Sequence, residues 1–253
     1  MQRISDNSLR SIRICIQLFR YCLILVFAII EIPSFAADKS PAMLWGQLSL
    51  YPYQDRVDDD VDLTLTLNAQ LPGLFSYFSY QNFRGVFSEG DAQFDRSEQN
   101  LRWALSEKSP IDLNLQAVLV KGDGNDRWHL GFGWRLHDTS FLKDFFDRLN
   151  LTYRLTFQLK RFASVDEDAW QMEHFFKMKF PRESERFYLS GFLDQTFNSD
   201  LPDTFSKNPV VTEIQFGARV FNQFYAVAEY RNNQFRTSEN HNIALGIEYK
   251  FRW

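Results

Sequence analysis

The last stretch of the chain alternates between apolar and polar side chains up to its final residue. Side chains in a β-strand point to opposite faces with a period of two, so both faces can be read from the sequence. One face would carry His241, Ile243, Leu245, Ile247, Tyr249, Phe251 and Trp253, and the other Asn242, Ala244, Gly246, Glu248, Lys250 and Arg252. A two-faced strand of about a dozen residues suits the wall of a membrane barrel, because a tilted strand needs about 9–11 residues to cross the bilayer.

The same alternation recurs along the chain and predicts about twelve strands. These are 44–53, 61–71, 74–84, 99–107, 111–121, 127–137, 149–160, 170–180, 186–197, 210–221, 224–235 and 241–253. The stretch 74–84 is aromatic on both faces, which leaves its outward side open. The stretch 141–148 breaks the alternation and predicts one or two helical turns.

Composition agrees with a wall that has one apolar and one polar face. The 253 residues include 26 Phe, and aromatic side chains make up 17%, yet 24% of the residues are charged and the mean hydropathy is below zero. A soluble sandwich or lipocalin-like barrel would also alternate, but many strands are long for a sandwich, and the mixed polar face suits a wet lumen. We therefore predict an all-β fold, a transmembrane antiparallel β-barrel of about 12 strands.

The N-terminal segment has the three parts of a secretory signal peptide. Three arginines precede a short apolar block, 23–32, and small residues follow it up to Ala36. This order predicts cleavage after Ala36, with 1–36 as signal peptide and 37–253 as the barrel. An uncleaved membrane anchor is disfavoured, because the apolar run is shorter than the ~20 residues that span a bilayer.

Several function classes find no support in the sequence. The net charge of −4 gives no attraction to nucleic acid. Both cysteines, Cys15 and Cys22, lie in the predicted signal peptide, which removes thiol catalysis and disulfides from the mature chain. There is no metal-ligand spacing, no phosphate-binding glycine loop and no nucleophile elbow. We predict that the protein is not an enzyme and needs no metal or cofactor.

Histidine is the residue that could reopen the question of catalysis. His129 and His137 fall on the predicted lumen face, whereas His174 and His241 fall on outward faces. The first pair more simply adds to a polar lumen, and the second pair to a membrane interface. A lipid-modifying outer-membrane enzyme, dependent on His129 and His137, is the third of our hypotheses.

The polar faces of the strands predict the chemistry of the lumen. Basic and acidic side chains alternate there in balance, and aromatic side chains stand among them. Aromatic faces beside hydrogen-bonding groups suit flat, polar, uncharged solutes. The predicted substrate path consists of the aromatic residues Phe175, Tyr188, Phe192 and Tyr225 and the polar residues Arg154, Glu173, Asp194 and Arg231.

The second half of the chain resembles a known family. The segments YRLTFQLKRF, DAWQMEHFFKMKF, RFYLSGFLDQTFN, AVAEYRNNQF and NIALGIEYKFRW are similar in order to the nucleoside-specific channel-forming outer-membrane proteins, the Tsx-like family. The resemblance implies a channel for passive diffusion of nucleosides. The terminal Phe251 and Trp253 similarly resemble the signal that the barrel assembly machinery reads.

These observations predict a monomeric channel for small polar solutes, embedded in the lipid of the outer membrane of a Gram-negative bacterium. The resemblance implies that these solutes include nucleosides. The alternative is a structural or surface-interaction barrel with an occluded lumen, because a dozen strands enclose a narrow interior. Such a barrel would act through the predicted loops 86–97 and 198–209.

Overall fold

The computed structural model describes residues 45–55, 60–85, 93–121, 126–162, 168–180, 186–236 and 238–252. The predicted signal peptide and Trp253 lie outside them. The described residues form twelve strands: β1 Trp45–Asp55, β2 Asp60–Gln70, β3 Phe75–Arg84, β4 Gln93–Ala104, β5 Ile111–Val120, β6 Arg127–Arg135, β7 Leu151–Phe162, β8 Trp170–Lys179, β9 Phe187–Phe197, β10 Val210–Phe221, β11 Phe224–Asn233 and β12 His241–Arg252.

Each strand pairs antiparallel with its sequence neighbours, and the sheet closes on itself. The closing seam joins the first strand to the last, with Leu50 opposite Tyr249 and Tyr53 opposite Gly246. Closure leaves no free sheet edge, so every strand can satisfy its backbone N–H and C=O groups within the wall. The predicted fold, an antiparallel barrel of twelve strands, is confirmed.

The connections differ between the two ends of the barrel. At one end, here called the turn end, β10 and β11 are joined through Asn222 and Gln223, and Asn222 has the positive φ of 44° that such a tight turn needs. The other end, here called the loop end, holds the longer connection 198–209.

The connection from β6 to β7 lies at the turn end and contains a 3-10 helix, Leu136–Asp138, and one short α-helix, α1, Lys143–Arg148. The helical turns predicted in 141–148 are therefore confirmed. None of the described helices is long and apolar enough to cross a membrane.

The outer face of the wall carries an apolar band bounded by two aromatic girdles. Leu115, Leu130, Ile214 and Leu245 are exposed in the band. Rings of neighbouring strands pack together at both limits, Phe75 with Trp103 and Phe187 with Phe216 towards the turn end, and Phe83 with Phe94 and Trp170 with Phe197 towards the loop end. An apolar band between two aromatic girdles is the outer surface expected of a membrane barrel.

The start of β4 corrects the predicted boundary. Residues 86–97 are predicted as a polar loop, but β4 begins at Gln93 and ends at Ala104. The first half of this strand is polar on both faces, so it gives no alternating pattern to read. Register with β3 also shifts between Asn82 and Phe83, which inserts an extra residue and interrupts the period of two.

A second β-bulge corrects the face of Lys160. The alternation along β7 predicts that Lys160 points into the lumen. The register shifts between Leu130 and Gly131, so that Lys160 pairs with Leu130 and Arg161 pairs with His129. Lys160 is therefore exposed on the outer face, with its Nζ 6.0 Å from the centroid of the Phe162 ring, and Arg161 takes the inward position.

Candidate functional site

A cavity of about 230 Å³ lies inside the barrel. It extends from the loop end, where Arg236, Glu239 and Asn240 of the β11–β12 connection line it, to Arg102 and Arg154 near the turn end. The inward side chains of β3, β4 and β7 to β12 form its wall. Because the cavity follows the barrel axis, it is the part of the lumen that a solute could occupy.

Two opposed walls of the cavity differ in charge. The acidic wall consists of Glu173 on β8, Asp194 on β9 and Glu213 on β10. The basic wall consists of Arg84 on β3 and of Arg96 and Arg102 on β4. Strands six places apart in a ring of twelve lie opposite each other, so β9 faces β3 and β10 faces β4. No lysine or arginine of β8, β9 or β10 lines the cavity as described. Glu213 is paired with Arg231 of β11, with Nε and Oε2 3.4 Å apart, so the separation of charge across the lumen rests on Glu173 and Asp194 opposite the arginines.

The basic wall also contains carboxylates that hold two of its arginines in place. Arg96 Nη2 lies 3.2 Å from Glu98 Oε2, and Arg84 Nε lies 3.2 Å from Asp95 Oδ1. Asp95 is the extra residue of the bulge in β4, and the bulge turns it towards Arg84 and the cavity. The two pairs reduce the positive charge of this wall without reversing its sign.

A buried amide links the two walls. Gln116 on β5 donates from Nε2 to Glu98 Oε1 at 3.0 Å and to Glu173 Oε1 at 2.8 Å. Its Oε1 lies 2.6 Å from His129 Nδ1, and His129 Nε2 lies 3.3 Å from Arg161 Nε. This network requires the neutral His129 tautomer with hydrogen on Nδ1, because Arg161 can only donate. His129 is buried and does not line the cavity.

The other predicted histidines are also engaged with protein groups. His137 lies in the 3-10 helix at the turn end, not on a strand, and its Nδ1 is 3.2 Å from the backbone nitrogen of Tyr153. His174 is on the outer face with Nδ1 2.8 Å from the Tyr153 hydroxyl, and His241 stacks on Tyr230. His129 and His137 thus lie in separate networks.

Six of the eight predicted path residues line the cavity. They are Phe175, Phe192, Arg154, Glu173, Asp194 and Arg231. Phe175 and Phe192 are register partners on β8 and β9, as are Glu173 and Asp194, so two rings stand directly below two carboxylates. Phe175 is 41% exposed, which leaves its ring accessible from the cavity.

Tyr188 and Tyr225, the other two predicted path residues, lie in a packed aromatic cluster. Both are buried, together with Tyr51, Tyr53, Val227 and Ala244. The Tyr188 hydroxyl donates to Glu248, and Lys250 Nζ lies 3.6 Å from the centroid of the Tyr188 ring. This cluster fills the side of the lumen bounded by β9 to β12 and β1, and so confines the cavity to the rest of the cross-section.

An ion-pair cluster forms the floor of the cavity at the turn end. Asp112 on β5 pairs with Arg135 on β6 and, through Oδ2, with Arg154 Nη2 on β7 at 3.2 Å. Arg135 also binds Asp138 of the 3-10 helix, with Nε and Oδ2 2.6 Å apart. Asp112 is almost fully buried, and the guanidinium groups of Arg135 and Arg154 are its charge partners.

Sequence reasoning did not include β3 or the first half of β4 in the path. The missed lining residues are Phe78, Tyr80, Asn82, Arg84, Asp95, Arg96 and Glu98. The aromatic residues on both faces of β3 hid its inward side. Arg84 is the residue that could have revealed the inward side of β3, because a charged side chain on the lipid face of a membrane barrel is energetically costly.

The comparisons with known proteins identify the fold. No protein-family model matches the sequence, and no curated protein matches it. Among solved structures, the chain is similar to the KdgM porin (TM-score 0.49, 10% identity, 81% of this chain and 99% of that chain). It is also similar to the NanC porin (0.50, 10%, 81% and 100%) and to a triple mutant of the Rhodopseudomonas blastica porin (0.38, 8%, 83% and 99%). At 10% identity, the likeness to the NanC porin shows the barrel fold alone.

Proposed function

We propose that the protein is an outer-membrane channel for the passive diffusion of small polar solutes, with nucleosides as the solute class. The observation that carries the proposal is the cavity inside a closed membrane barrel. The cavity reaches from the loop end to the Arg154 floor, and it is lined by side chains that can hydrogen-bond a passing solute. Rearrangement of the Arg135–Asp112–Arg154 cluster would complete the passage.

The arrangement of charges and rings favours an uncharged solute with a strong dipole. The opposed acidic and basic walls give no net preference for either sign, but they attract a molecule that has donors on one side and acceptors on the other. Phe175 and Phe192 offer ring faces for stacking next to the carboxylates of Glu173 and Asp194. A nucleoside combines an aromatic base with a polar sugar, so it can use both features.

Conductance in planar lipid bilayers tests the proposal. We expect the purified protein to give ion current that added nucleosides reduce, because a stacked base would block the lumen. Replacement of both rings by alanine, Phe175→Ala with Phe192→Ala, should weaken the block roughly tenfold or more, since base–aromatic stacking contributes about 1–3 kcal/mol per base.

The matched control is Phe176→Ala, because Phe176 is next in sequence but lies on the outer face opposite Tyr153. This variant should retain the block. Absence of ion current from correctly folded protein would contradict the channel, and current that is insensitive to nucleosides would contradict the solute class alone.

A barrel with an occluded lumen is the second candidate function. The observation that favours it is the filling of the lumen by the tyrosine cluster and the ion-pair floor, which include the fully buried Tyr53 and the buried Asp112. Such a protein would act through its loop-end connections, for example 198–209. In that case the bilayer recordings should show no current, while deletion of 202–206 should abolish surface interactions and leave the wall intact.

A further inference from the structure

The outer face of β3 and β4 carries polar side chains where a membrane barrel normally exposes apolar ones. We call this group the outward seam, and it consists of Tyr77, Ser79 and Gln81 on β3 and Ser97 and Gln99 on β4. Ser79 is the register partner of Gln99, and Gln81 is the register partner of Ser97. All five side chains therefore lie on one face; Ser79 and Ser97 are buried among the longer side chains of Tyr77, Gln81 and Gln99, which form the accessible surface of the patch.

The outward seam lies within the apolar band and not at its limits. Phe75 and Trp103 stack below it and belong to the girdle of the turn end, and Phe83 and Phe94 meet above it in the girdle of the loop end. Ser79 is midway between Phe75 and Phe83, about 13 Å along the strand from each. The seam is thus at the depth of the lipid hydrocarbon.

The strands on either side are apolar at the same depth. Leu67 on β2 pairs with Ser79, and Ala117 on β5 pairs with Gln99. Further along β5 and β6, Leu115 and Leu130 are exposed. The polar groups are therefore a local departure from an apolar wall.

Internal hydrogen bonds satisfy only part of the seam. The Tyr77 hydroxyl donates to Gln99 Oε1, and Gln99 Nε2 donates to Ser97 Oγ at 2.6 Å. The Gln81 carboxamide, which has two donor hydrogens and an acceptor oxygen, makes no hydrogen bond to any described residue. Lipid tails offer no hydrogen-bonding partner, so the seam retains capacity for a partner that does.

We propose that the outward seam is the contact surface between two copies of this chain. Two barrels with the same orientation in a membrane are related by a two-fold axis along the membrane normal, so each residue meets its equivalent at the same depth. A charged side chain there would meet a like charge. Carboxamides and hydroxyls both donate and accept hydrogen bonds, and can therefore pair with their own copies.

The composition of the seam matches this requirement. Its members are two glutamines, two serines and one tyrosine, and none is charged. The stacked pair of Phe75 and Trp103 provides a flat apolar rim at one side for packing between the copies. The sequence predicts a monomer, but its pattern leaves the outward side of β3 unassigned and places 93–97 in a loop, so the outward seam is not visible in the alternation.

Cysteine cross-linking in native membranes tests the dimer. Cys15 and Cys22, the two cysteines of the chain, are replaced by alanine, and Gln99→Cys is introduced as the single thiol. We expect mild oxidation to give a covalent homodimer in most of the protein, because Gln99 lies at the centre of the outward seam, opposite Ser79, and its side chain is accessible whereas that of Ser79 is buried. The matched control is Ile214→Cys on β10, an outward position on the far side of the barrel, and it should give no more than background.

A double replacement then tests the chemistry of the contact. Tyr77→Phe with Gln81→Leu should reduce the Gln99→Cys cross-link at least several-fold, while the barrel remains folded, as shown by heat-dependent migration on a gel. Equal cross-linking of the Gln99→Cys and Ile214→Cys chains would overturn the proposal. So would cross-linking of Gln99→Cys to a different protein. Neither outcome depends on whether the lumen conducts.

Discussion

At the scale of single residues, small side chains on the inner face decide where the large ones can lie. Gly217 stands directly beneath the Tyr188 ring, and Gly246 stands beside Tyr51 and Tyr53 across the closing seam. A Cβ at either glycine would overlap a ring or a backbone carbonyl. The rings can therefore lie against the wall, and the tyrosine cluster occupies one side of the lumen without obstructing all of it.

Replacement of Gly217 by alanine should destabilise the barrel. The added methyl group would force the Tyr188 ring away from the wall, and overpacking of this kind costs about 1–3 kcal/mol. The free energy of unfolding can be measured in urea with the protein in detergent micelles. Gly133→Ala is the matched control, because Gly133 is also on the inner face but a Cβ there would meet nothing closer than 3.7 Å. Equal losses in the two variants would contradict the role assigned to Gly217.

At the scale of elements, the strands differ in how clearly the sequence reveals them. β12 keeps one apolar and one polar row from His241 onwards, and its predicted start is confirmed. β4 could not be read in the same way, because Arg96 and Glu98 face the lumen while Ser97 and Gln99 face outwards, so both rows are polar. Alternation predicts a strand only where the two environments differ in polarity.

The limits of β4 can be tested by insertion of a short epitope. Insertion after Ser97 should prevent the barrel from folding, because the backbone there is hydrogen-bonded to β3 on one side and to β5 on the other. Insertion after Asp203, in the connection between β9 and β10, should be tolerated, as loops accept insertions. Folded protein can be detected by its heat-dependent migration on a gel. Folded protein with the epitope inserted after Ser97 would mean that 93–97 is a loop and not part of β4.

The candidate site was predictable only to the same extent as the strand faces. Phe175 and Glu173 could be assigned to the lumen because β8 alternates cleanly. The burial of Tyr188 could not be predicted, since it depends on Gly217 and Lys250, which come from other strands. Alternation gives the direction of a side chain, but not whether a neighbour across the barrel will cover it.

At the scale of the whole molecule, the barrel is complete only when its last strand meets its first. β12 pairs with β11 and with β1, so the wall stays open until the C-terminal strand is in place. A signal for assembly at this strand would ensure that only full-length chains are inserted. We therefore keep Phe251 and Trp253 as the proposed contact with the barrel assembly machinery.

Replacement of Phe251 and Trp253 by alanine should reduce the amount of folded barrel in the outer membrane several-fold. Phe251 is exposed on the outer face at the turn end, where a partner could bind it before insertion. Ile247→Ala, on the same face of the same strand, is the matched control and should assemble normally. The ratio of folded to unfolded protein on an unheated gel measures the effect, and equal assembly of both variants would contradict the proposed signal.

The separation of charge across the lumen has a geometric consequence. The acidic wall of β8 to β10 and the arginine wall of β3 and β4 define one direction, and the barrel axis defines a second. The packed tyrosine cluster is centred on β11, to one side of the line between the two walls, and defines a third. Three such directions give the passage a handedness, so mirror-image forms of one solute cannot fit it equally. If the lumen carries nucleosides, D- and L-enantiomers should pass at different rates.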